Sequence, residues 1–441
     1  MKPFILPKNS PQGLQALLSG GLWNQWVRQG LVFDVPDIRE AISYIRNKPE
    51  SCRLFVKGPV EGTADTSPQG MNIRLFSDLH LATSFYEKLI SKNLNSPLSG
   101  FAPFIDKENF AVGLPFPGDA EIPQLRRIFE PNRFRRLVEP MLGTIDYDQW
   151  RLQKSLTRHK LVAYKPGRRA VLKTKLKLRN LKEDIKVRKL FHLKVENRIS
   201  IEKSKNLALA ISHATENCAH FSTPSFVGTS PAMNIFGHEW VEGLHPDLKS
   251  SNIDETIQKI ALALNEFHQI PLEISSHPPP QILMNEVEKI VEDLSELVPD
   301  LRFELLNLAN QFIKMIPRLN LLPSVLSHGD LHRNQILLNQ EKLYLLDFDR
   351  AGRGYACIDL GALMEDFSEL GASEDLANQL ATNYQKITKT KMTIEELQIG
   401  RVIACLRRSF QPFRSLSPNW PSETADYVDH CINLMKGFSN E

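Results

Sequence analysis

Three residues with oxygen donors lie close together in the second half of the chain: Asp330, Gln335 and Asp347. Two apolar runs of strand length, 336–338 and 343–346, separate Gln335 from Asp347, and polar residues lie between the runs. This pattern predicts a β-hairpin. Antiparallel pairing would bring both carboxylates and the amide to the same end of the hairpin.

Two carboxylates and an amide oxygen at one place suit phosphoryl transfer from a nucleotide. One carboxylate can accept or orient the proton of an attacking hydroxyl, and the other oxygen atoms can bind Mg²⁺. The spacing therefore indicates the catalytic loop of a kinase, and the rest of the chain should position this loop and its substrates.

Length and composition indicate a globular protein of more than one domain. The chain has 441 residues, of which 42% are hydrophobic and 24% charged, and this length exceeds what one compact core usually holds. No apolar run reaches the roughly 18 residues of a membrane span. Prolines 3 and 7 interrupt the N-terminal segment before a signal-peptide core could form. We therefore expect a cytoplasmic protein without membrane association.

Cysteine usage indicates neither a metal site nor disulfide bonds. The five cysteines are scattered and contain no Cys-x-x-Cys pair, which is the spacing that zinc sites and many redox sites use.

One block of the sequence is strongly basic. Residues 151–205 contain 19 Lys or Arg against 4 Asp or Glu, although the whole chain has a net charge of only +3. Such a block is typical of a site for a polyanion, whether nucleic acid, nucleotide phosphates or an anionic lipid surface. A solvated strand face is the alternative, because the basic residues of 172–179 alternate with apolar ones. Both interpretations stay open at this point.

The chain divides by pattern into three parts: 1–145, 146–242 and 243–441. The first part reads as a mixed α/β region, with a helix over Asp37–Asn47 and another over Leu79–Ser91 capped by Asp78. The second reads as two hairpin strands, a third strand, a helix and a last strand, at 160–164, 170–178, 189–195, 201–217 and 236–243.

The third part is mainly helical. Residues 256–268, 284–297 and 301–315 have helical periodicity before the hairpin, and residues 375–388 and 394–416 have it afterwards. After the hairpin, residues 351–355 are rich in glycine and predict a flexible loop near the substrate. Asp359 then begins a helix as its expected N-cap.

Several motifs together resemble the aminoglycoside phosphotransferase family. They are His-Gly-Asp-x-His at 328–332, Leu-Leu-Asp-Phe at 345–348 and Ala-Gly-x-Gly followed by Asp359-Leu360. This family and the related choline and sugar kinases share the protein-kinase-like fold. The resemblance implies an α+β, bilobal fold with a β-rich N-lobe at 146–242 and a helical C-lobe at 243–441. Residues 1–145 would be an additional N-terminal, cap-like α/β domain.

The resemblance also implies roles in catalysis and metal binding. Asp330 would be the catalytic base, and Asp347 would bind the Mg²⁺ that sits on the phosphates of ATP. Asp359 would support the catalytic loop. The second Mg²⁺ ligand of the family is usually Asn, whereas this sequence has Gln335. Glutamine offers the same amide oxygen one methylene further out.

The kinase layout further implies a nucleotide-binding set in the second part. Lys194, late in the third strand, would pair with the α- and β-phosphates. Glu202 on the following helix would hold this lysine, with Glu216 as the alternative. Backbone groups of Glu239 and Val241 would contact the adenine.

These observations predict an ATP- and Mg²⁺-dependent kinase for a hydroxyl group of a small molecule. A similar Asp-x-His-x-x-Gln pattern occurs in maltokinase-like sugar kinases, which favours a sugar or amino sugar as acceptor. The alternative is a kinase-like nucleotide-binding or regulatory protein without turnover, since Gln335 departs from the usual pattern. We do not expect a nucleic-acid partner, because few aromatic residues alternate with the basic ones in 151–205.

Overall fold

The computed structural model describes residues 4–48, 50–59, 69–94, 100–130, 149–153, 158–230, 233–272, 274, 279–339 and 342–436. The chain forms two compact units. The first contains residues 1–205, 225–240 and 414–418, and the second contains residues 206–224, 241–413 and 419–441. The division into three parts at 145 and 242 stays a prediction.

The first unit begins with short helices and a five-stranded antiparallel sheet of strand order β1-β2-β3-β5-β4. The helices are α1 (Leu14–Leu18), α2 (Gly21–Arg28), α3 (Ile38–Ala41), α4 (Leu79–Ser91) and α5 (Leu125–Ile128). The strands are β1 (Ile42–Lys48), β2 (Ser51–Lys57), β3 (Gly70–Phe76), β4 (Phe104–Asp106) and β5 (Ala111–Pro115).

The predicted helix over Asp37–Asn47 is wrong beyond Ala41. There the chain leaves α3 and continues as β1, with Ile45 buried and paired with Leu54 of β2. The isoleucines of this segment fit a helical period, but β-branched residues also suit a strand, and pairing with the buried β2 decides the outcome. The predicted helix α4 is confirmed. Its predicted N-cap is confirmed too, because Asp78 Oδ1 accepts a hydrogen bond from the N–H of Leu81 at 2.9 Å.

A second, six-stranded antiparallel sheet follows in the same unit. Its order is β10-β11-β9-β8-β6, and β7 also pairs with β8. The strands are β6 (Trp150–Leu152), β7 (Arg158–Lys165), β8 (Arg169–Asn180), β9 (Lys186–Glu196), β10 (Phe226–Ser230) and β11 (Ile235–Glu239), and helix α6 (Ile201–Ala214) follows β9. The predicted order of three strands, a helix and a strand is confirmed, although the short strands β6 and β10 were not predicted.

The two sheets of the first unit share one hydrophobic core. Phe55 and Phe116 come from the first sheet and its following loop, whereas Leu172, Leu193 and Val195 come from the second sheet. The ring of Tyr164 on β7 packs edge-on against Phe55, with 4.7 Å between the ring centroids. Because apolar burial supplies most of the folding free energy, the N-terminal sheet stabilises the sheet that carries Lys194.

Asp119 forms buried hydrogen bonds with β7 and with the turn that follows it. Its side chain is only 2% exposed. Asp119 Oδ2 accepts hydrogen bonds from the hydroxyl of Tyr164 at 2.6 Å and from the N–H of Gly167 at 2.8 Å. Gly167 has φ +74°, and a Cβ at this position would come within 2.5 Å of the Arg53 guanidinium. The β7–β8 turn is thus held by a buried carboxylate and requires glycine at its tip.

We predict that Asp119→Ala lowers the free energy of unfolding by about 3 kcal/mol or more. The substitution leaves the Tyr164 hydroxyl and the Gly167 N–H buried without their acceptor, and each such group costs about 1–3 kcal/mol. Urea unfolding followed by tryptophan fluorescence measures the loss. Asp78→Ala is the control, because losing this exposed N-cap should cost only about 1 kcal/mol. Equal losses for both variants would contradict the assigned role of Asp119.

The second unit is mainly helical, as predicted. Its helices are α7 (Ile253–His268), α8 (Pro279–Leu297), α9 (Arg302–Met315), α10 (Ala356–Glu369), α11 (Glu374–Thr388), α12 (Ile394–Arg408), α13 (Gln411–Arg414) and α14 (Trp420–Lys436). Two small antiparallel sheets pair β12 (Val325–Ser327) with β15 (Gly352–Gly354) and β13 (Ile336–Asn339) with β14 (Lys342–Leu345). Within the described ranges, no helix is long and apolar enough to span a membrane.

Helices α10 and α12 cross in close contact at two glycines. A Cβ on Gly400 would collide with the carbonyl oxygen of Cys357, and one on Gly361 would lie 2.6 Å from the backbone of α12. This crossing positions α10, the helix that contains Asp359. Helix α14 was not predicted because Pro418 and Pro421 suggested an end to helical structure. Pro421 instead lies in the first turn of α14, where its missing N–H costs nothing.

Candidate active site

The predicted hairpin is confirmed and brings two of the three donors together. Ile336 pairs with Leu345 and Asn339 pairs with Lys342, so β13 and β14 are antiparallel; residues 340 and 341 of the turn lie outside the described residues. The N–H of Leu346 donates a hydrogen bond to the Gln335 carbonyl oxygen at 2.9 Å and extends this pairing. Gln335 and Asp347 therefore lie at the same end of the hairpin.

The Asp330 loop is attached to the same end. His328, two residues before Asp330, has its Nε2 atom 2.8 Å from the carbonyl oxygen of Leu346, the residue before Asp347. Gly329 has φ +77°, and a Cβ there would lie 2.5 Å from the Arg350 carbonyl oxygen. The close backbone approach and the positive φ both require glycine at this position.

Residues 351–355 differ from the flexible loop that the glycines suggested. Gly352–Gly354 form strand β15, which pairs in register with Val325–Ser327. A Cβ on Gly354 would come within 2.6 Å of the Ser327 side chain. Gly354 therefore allows close pairing with the strand that leads into the Asp330 loop, and the expectation of a flexible loop is wrong.

Asp359 holds the backbone of the Asp330 loop. Its carboxylate accepts hydrogen bonds from the N–H groups of His328 at 2.7 Å and Gly329 at 2.9 Å. His268 Nε2 lies 3.1 Å from the same carboxylate, and Tyr384 bonds the other ring nitrogen of His268. The expectation that Asp359 is an N-cap is wrong, since Tyr355 occupies that position and Asp359 lies inside the first turn of α10.

Asp359 is ionised in this environment. Its side chain is fully buried, and burial alone would raise the pKa of a carboxyl group. The bond with His268 and the backbone donors outweigh burial, so that the pKa of Asp359 lies below its ordinary value of 3.8. A charged carboxylate is thus fixed beneath the loop that carries Asp330.

A second ion pair fixes the other side of the loop. Arg407 donates from Nε and Nη2 to both carboxylate oxygens of Glu286, at 2.9 and 2.7 Å. Its remaining amino group donates to the Gly329 carbonyl oxygen at 2.6 Å. Arg350 also contacts Glu286, at 3.0 Å. Since bidentate arginine pairs have defined geometry, both the N–H and the carbonyl of Gly329 are held.

Gln335 is oriented by its neighbour His332. The Nε2 atoms of the two side chains are 3.2 Å apart. Burial lowers the pKa of His332 although the Asp366 and Asp330 carboxylates act in the opposite direction, so a neutral ring can accept a hydrogen bond from the Gln335 amide. With its NH₂ group used in this way, Gln335 keeps Oε1 for a cation. Asp347 has φ +57°, a left-handed conformation that aspartate adopts more readily than most residues.

A cavity of about 520 Å³ opens beside Asp330 within the second unit. Arg408 on its wall pairs with Asp366 and Glu369, both at 2.9 Å. Burial and the Glu369 carboxylate raise the pKa of Tyr427, another lining residue, to about 12. The wall therefore offers a hydroxyl, carboxylates and guanidinium groups. The lining includes Asp330, His332, Asn334, Asp366, Glu369, Arg407, Arg408, Gln411 and Tyr427.

Lys194 and Glu202, which are expected to bind the nucleotide phosphates, both lie in the first unit. Lys194 is 5% exposed on β9 and pairs in register with Val171 on β8. Glu202 lies at the exposed start of α6, where its carboxylate bonds Lys205. The expectation that Glu202 holds Lys194 stays a prediction.

The expected adenine contacts lie at the end of β11. Glu239 is its last residue, and the Glu239 N–H bonds the carbonyl oxygen of Ser225 at 2.9 Å. Val241 follows two residues later and is half-buried. Contacts of these residues with adenine also stay predictions.

Sequence reasoning missed the residues that support the loop and line the cavity. His268, Glu286, Asp366 and Arg407 lie on four helices far apart in the sequence, and none belongs to a short motif. One signal was present: Arg407 and Arg408 are adjacent charged residues at the end of a helix whose other residues are largely apolar. Spacing alone does not tell which helix they face.

We predict that Asp359→Asn lowers the free energy of unfolding at pH 7 by about 3 kcal/mol. The amide loses one acceptor oxygen and the charge that the backbone donors and His268 stabilise. A folded-state pKa below 3.8 also means that Asp359 stabilises the fold above that pH, and that this contribution falls as the pH drops through the folded value. Urea unfolding at several pH values should therefore show that the free energy of unfolding of the variant falls less steeply at acid pH than that of the wild type. Exposed Asp375→Asn is the control. An equally steep fall in Asp359→Asn and wild type would refute the assignment.

Comparison with known proteins finds a family match in the central segment of the chain. Residues 232–392 match the family described as "Phosphotransferase enzyme family". A search of curated proteins finds no match. Solved structures with similarity include a choline kinase from Cryptosporidium parvum Iowa II, at 13% identity and TM-score 0.45 over 67% of this chain and 91% of that chain.

Two further structures show similarity of the same degree. The choline kinase LicA from Streptococcus pneumoniae is 15% identical with TM-score 0.47, over 68% of this chain and 98% of that one. An ADP-bound aminoglycoside phosphotransferase is 13% identical with TM-score 0.41, over 68% and 97%. The match of residues 232–392 confirms the resemblance that the motifs predicted: this segment, with the Asp330 loop, the hairpin and Asp359, carries the sequence pattern of the phosphotransferase enzyme family.

Proposed function

We propose that the protein is an ATP- and Mg²⁺-dependent kinase that phosphorylates a hydroxyl group of a small molecule. The observation that carries this proposal is the attachment of Asp330, Gln335 and Asp347 to one end of the hairpin, with a cavity beside Asp330. Phosphoryl transfer needs mainly positioning and charge stabilisation, so these few parts suffice. ATP supply makes the cytoplasm the expected location.

The proposed reaction uses Asp330 as the base. The acceptor hydroxyl gives its proton to the Asp330 carboxylate while its oxygen forms a bond to the γ-phosphorus of ATP. The bond from that phosphorus to the β,γ-bridging oxygen breaks, and ADP leaves. Asp347 and the Oε1 atom of Gln335 would hold Mg²⁺, which stabilises charge on the phosphates when bound. Asp359 and Arg407 keep the Asp330 loop in place throughout.

We further propose that the acceptor is a sugar or an amino sugar. The cavity wall presents carboxylates, guanidinium groups, amides and one tyrosine hydroxyl, which together suit a ligand with many hydroxyl groups. Among the described lining residues Tyr427 is the single aromatic one, whereas a quaternary ammonium group is usually bound by several aromatic rings. The guanidinium groups of Arg407 and Arg408 are already paired with carboxylates, which disfavours a strongly anionic acceptor.

Lys194, Glu202, Glu239 and Val241 complete the proposal on the nucleotide side. Lys194 would bind the α- and β-phosphates, with Glu202 as its carboxylate partner, and the backbone of Glu239 and Val241 would bind adenine. Lys194→Met should raise the KM for ATP and lower kcat, while the exposed Lys203→Met should change neither.

A screen of hydroxyl-containing metabolites with labelled ATP is the decisive test. Transfer of label to a sugar or amino sugar, dependent on Mg²⁺, would support both the reaction and the acceptor class. Transfer to choline or ethanolamine would retain the reaction and reject the acceptor class. If wild-type protein binds ATP but transfers label to no acceptor, the kinase proposal is rejected.

The second candidate function is nucleotide binding without turnover, and Gln335 is the residue that favours it. Glutamine replaces the usual asparagine, so the metal could sit too far from the phosphates for catalysis. Gln335→Asn separates the two functions. A working kinase should keep its activity within about tenfold because the amide oxygen is retained, whereas an inactive protein that gains turnover through this substitution would support the second candidate.

For Asp330→Asn we predict a fall in kcat of about 10²- to 10⁴-fold with nearly unchanged affinity for ATP. The amide cannot accept the hydroxyl proton but occupies the same space. Steady-state kinetics on the acceptor found in the screen provide kcat, and calorimetry provides the ATP affinity. Near-normal turnover in this variant would exclude Asp330 as the base.

For Asp347→Ala we predict loss of the Mg²⁺-dependent part of ATP binding. Ligands that bind the folded state raise its melting temperature, and a tighter ligand raises it further at the same concentration. Wild-type protein should therefore melt at a higher temperature with ATP and Mg²⁺ than with ATP and EDTA, and Asp347→Ala should melt equally in both. Asp349→Ala, two residues further on, is the matched control. An undiminished Mg²⁺ effect in Asp347→Ala would contradict the role.

A further inference from the structure

The register of the second sheet gathers basic side chains on one face. Lys173, Lys175, Lys177 and Arg179 alternate along β8, so all four project to the same side. The residues between them, from Leu172 to Leu178, are buried in the shared core. The core therefore fixes which side these four cations occupy.

Neighbouring strands add further cations to this side, because directly paired residues of antiparallel strands project to the same face. On β7, Lys160 pairs with Lys173 and Arg158 pairs with Lys175. On β9, Arg188 pairs with Lys177 and Lys186 pairs with Arg179. Arg151 on β6 also pairs with Arg179. We call these five residues and the four of β8 the basic face.

Acidic residues hardly neutralise the basic face from within the sheet. Strands β7, β8 and β9 and the turns between them contain only three, Glu183 and Asp184 in the β8–β9 turn and the buried Glu196 at the end of β9 beyond Lys194. Asp184 pairs with Arg179 at the far end of the face. Five of the nine cations, among them Lys186 and Arg188, are exposed, and the three lysines of β8 are half-buried. This concentration of positive charge favours a negatively charged partner.

The dimensions of the basic face exceed those of one nucleotide. From Lys173 to Arg179 the strand rises by about 20 Å, at about 3.3 Å per residue, and neighbouring strands add width in steps of about 4.8 Å. Lys194 is on the same side of the sheet, since it lies two residues from His192, which pairs with Lys173. A nucleotide bound at Lys194 would cover one end of the basic face. Only a longer anion could also contact the cations further along the strands.

We propose that the basic face binds the phosphate backbone of duplex nucleic acid without reading its sequence. A duplex presents a negative charge about every 1.7 Å along its axis, which matches repeated cations on a surface of this size. Single strands are usually bound by stacking on exposed aromatic rings. At the face, however, the Trp240 ring is covered by the Lys173 ammonium group, 4.0 Å from the ring centroid.

An anionic membrane fits the surface less well. Exposed apolar side chains near the face are the single Val162 on β7 and, in the β8–β9 turn, Leu181 and Ile185, which Lys182, Glu183 and Asp184 separate. Insertion of this turn would carry two carboxylates towards negatively charged headgroups, which opposes binding. From the sequence alone a nucleic-acid partner was not expected, because few aromatic residues alternate with the basic ones in 151–205. The sequence does not show the register that combines the cations of four strands.

The test is fluorescence anisotropy of a labelled 20-base-pair duplex titrated with the full-length protein at several salt concentrations. We expect binding that weakens steeply with salt, with a slope of log K against log salt of about −0.9 for each neutralised phosphate. Lys175→Glu/Lys177→Glu should weaken binding at least tenfold and reduce the slope by about two. Lys57→Glu/Lys88→Glu, which makes the same change in net charge at exposed sites outside the face, should leave both unchanged.

Other outcomes would overturn the proposal. These are no binding of the duplex by wild-type protein, a salt-independent affinity, or equal losses in the two double variants. Tighter binding to the single strand of the same sequence, or binding only to vesicles of phosphatidylcholine and phosphatidylserine, would replace the duplex by another partner. Circular dichroism and melting curves check that both variants fold. Asp330→Asn should bind the duplex like wild type, so failure here and failure of the kinase proposal are distinguishable.

Discussion

The buried carboxylate of Asp359 is the interaction on which the candidate site depends. An ion without solvent is stable only when donors surround it, and here two backbone N–H groups and His268 do so. The same bonds fix the loop that carries Asp330. Displacement of the loop would remove both backbone donors and leave the buried anion with His268 as its remaining partner. Loop geometry and folding stability are therefore coupled.

Asp119 plays a comparable part in the first unit. It holds the β7–β8 turn through Gly167, as Asp359 holds the Asp330 loop through Gly329. In both places a buried carboxylate accepts from the N–H of a glycine with positive φ. Aspartate suits this task because its short side chain reaches the backbone with little loss of rotamer freedom. The N-terminal sheet is thus part of the structure that supports the strands of the second sheet.

Secondary structure could be predicted from the sequence where the local pattern and the tertiary structure agree. The hairpin, the helix Leu79–Ser91 and the helical second unit were predicted because apolar periodicity, turn residues and caps all indicate the same structure. The helix predicted for the segment after Ala41 was wrong because its isoleucines fit both a helical and a strand period, and pairing with β2 selected the strand. The role of Asp359 within its helix, and of Glu286 and Arg407, could not be predicted from spacing, since their partners lie far away in the sequence.

The side chain of Gln335 is held by its surroundings. A longer side chain would ordinarily leave the amide free to rotate, which weakens a metal ligand, since rotamer freedom must be lost on binding. The neutral His332 ring removes this freedom by accepting a hydrogen bond from the amide nitrogen. The contact between His332 and Gln335 therefore limits the positions that the Gln335 amide can take.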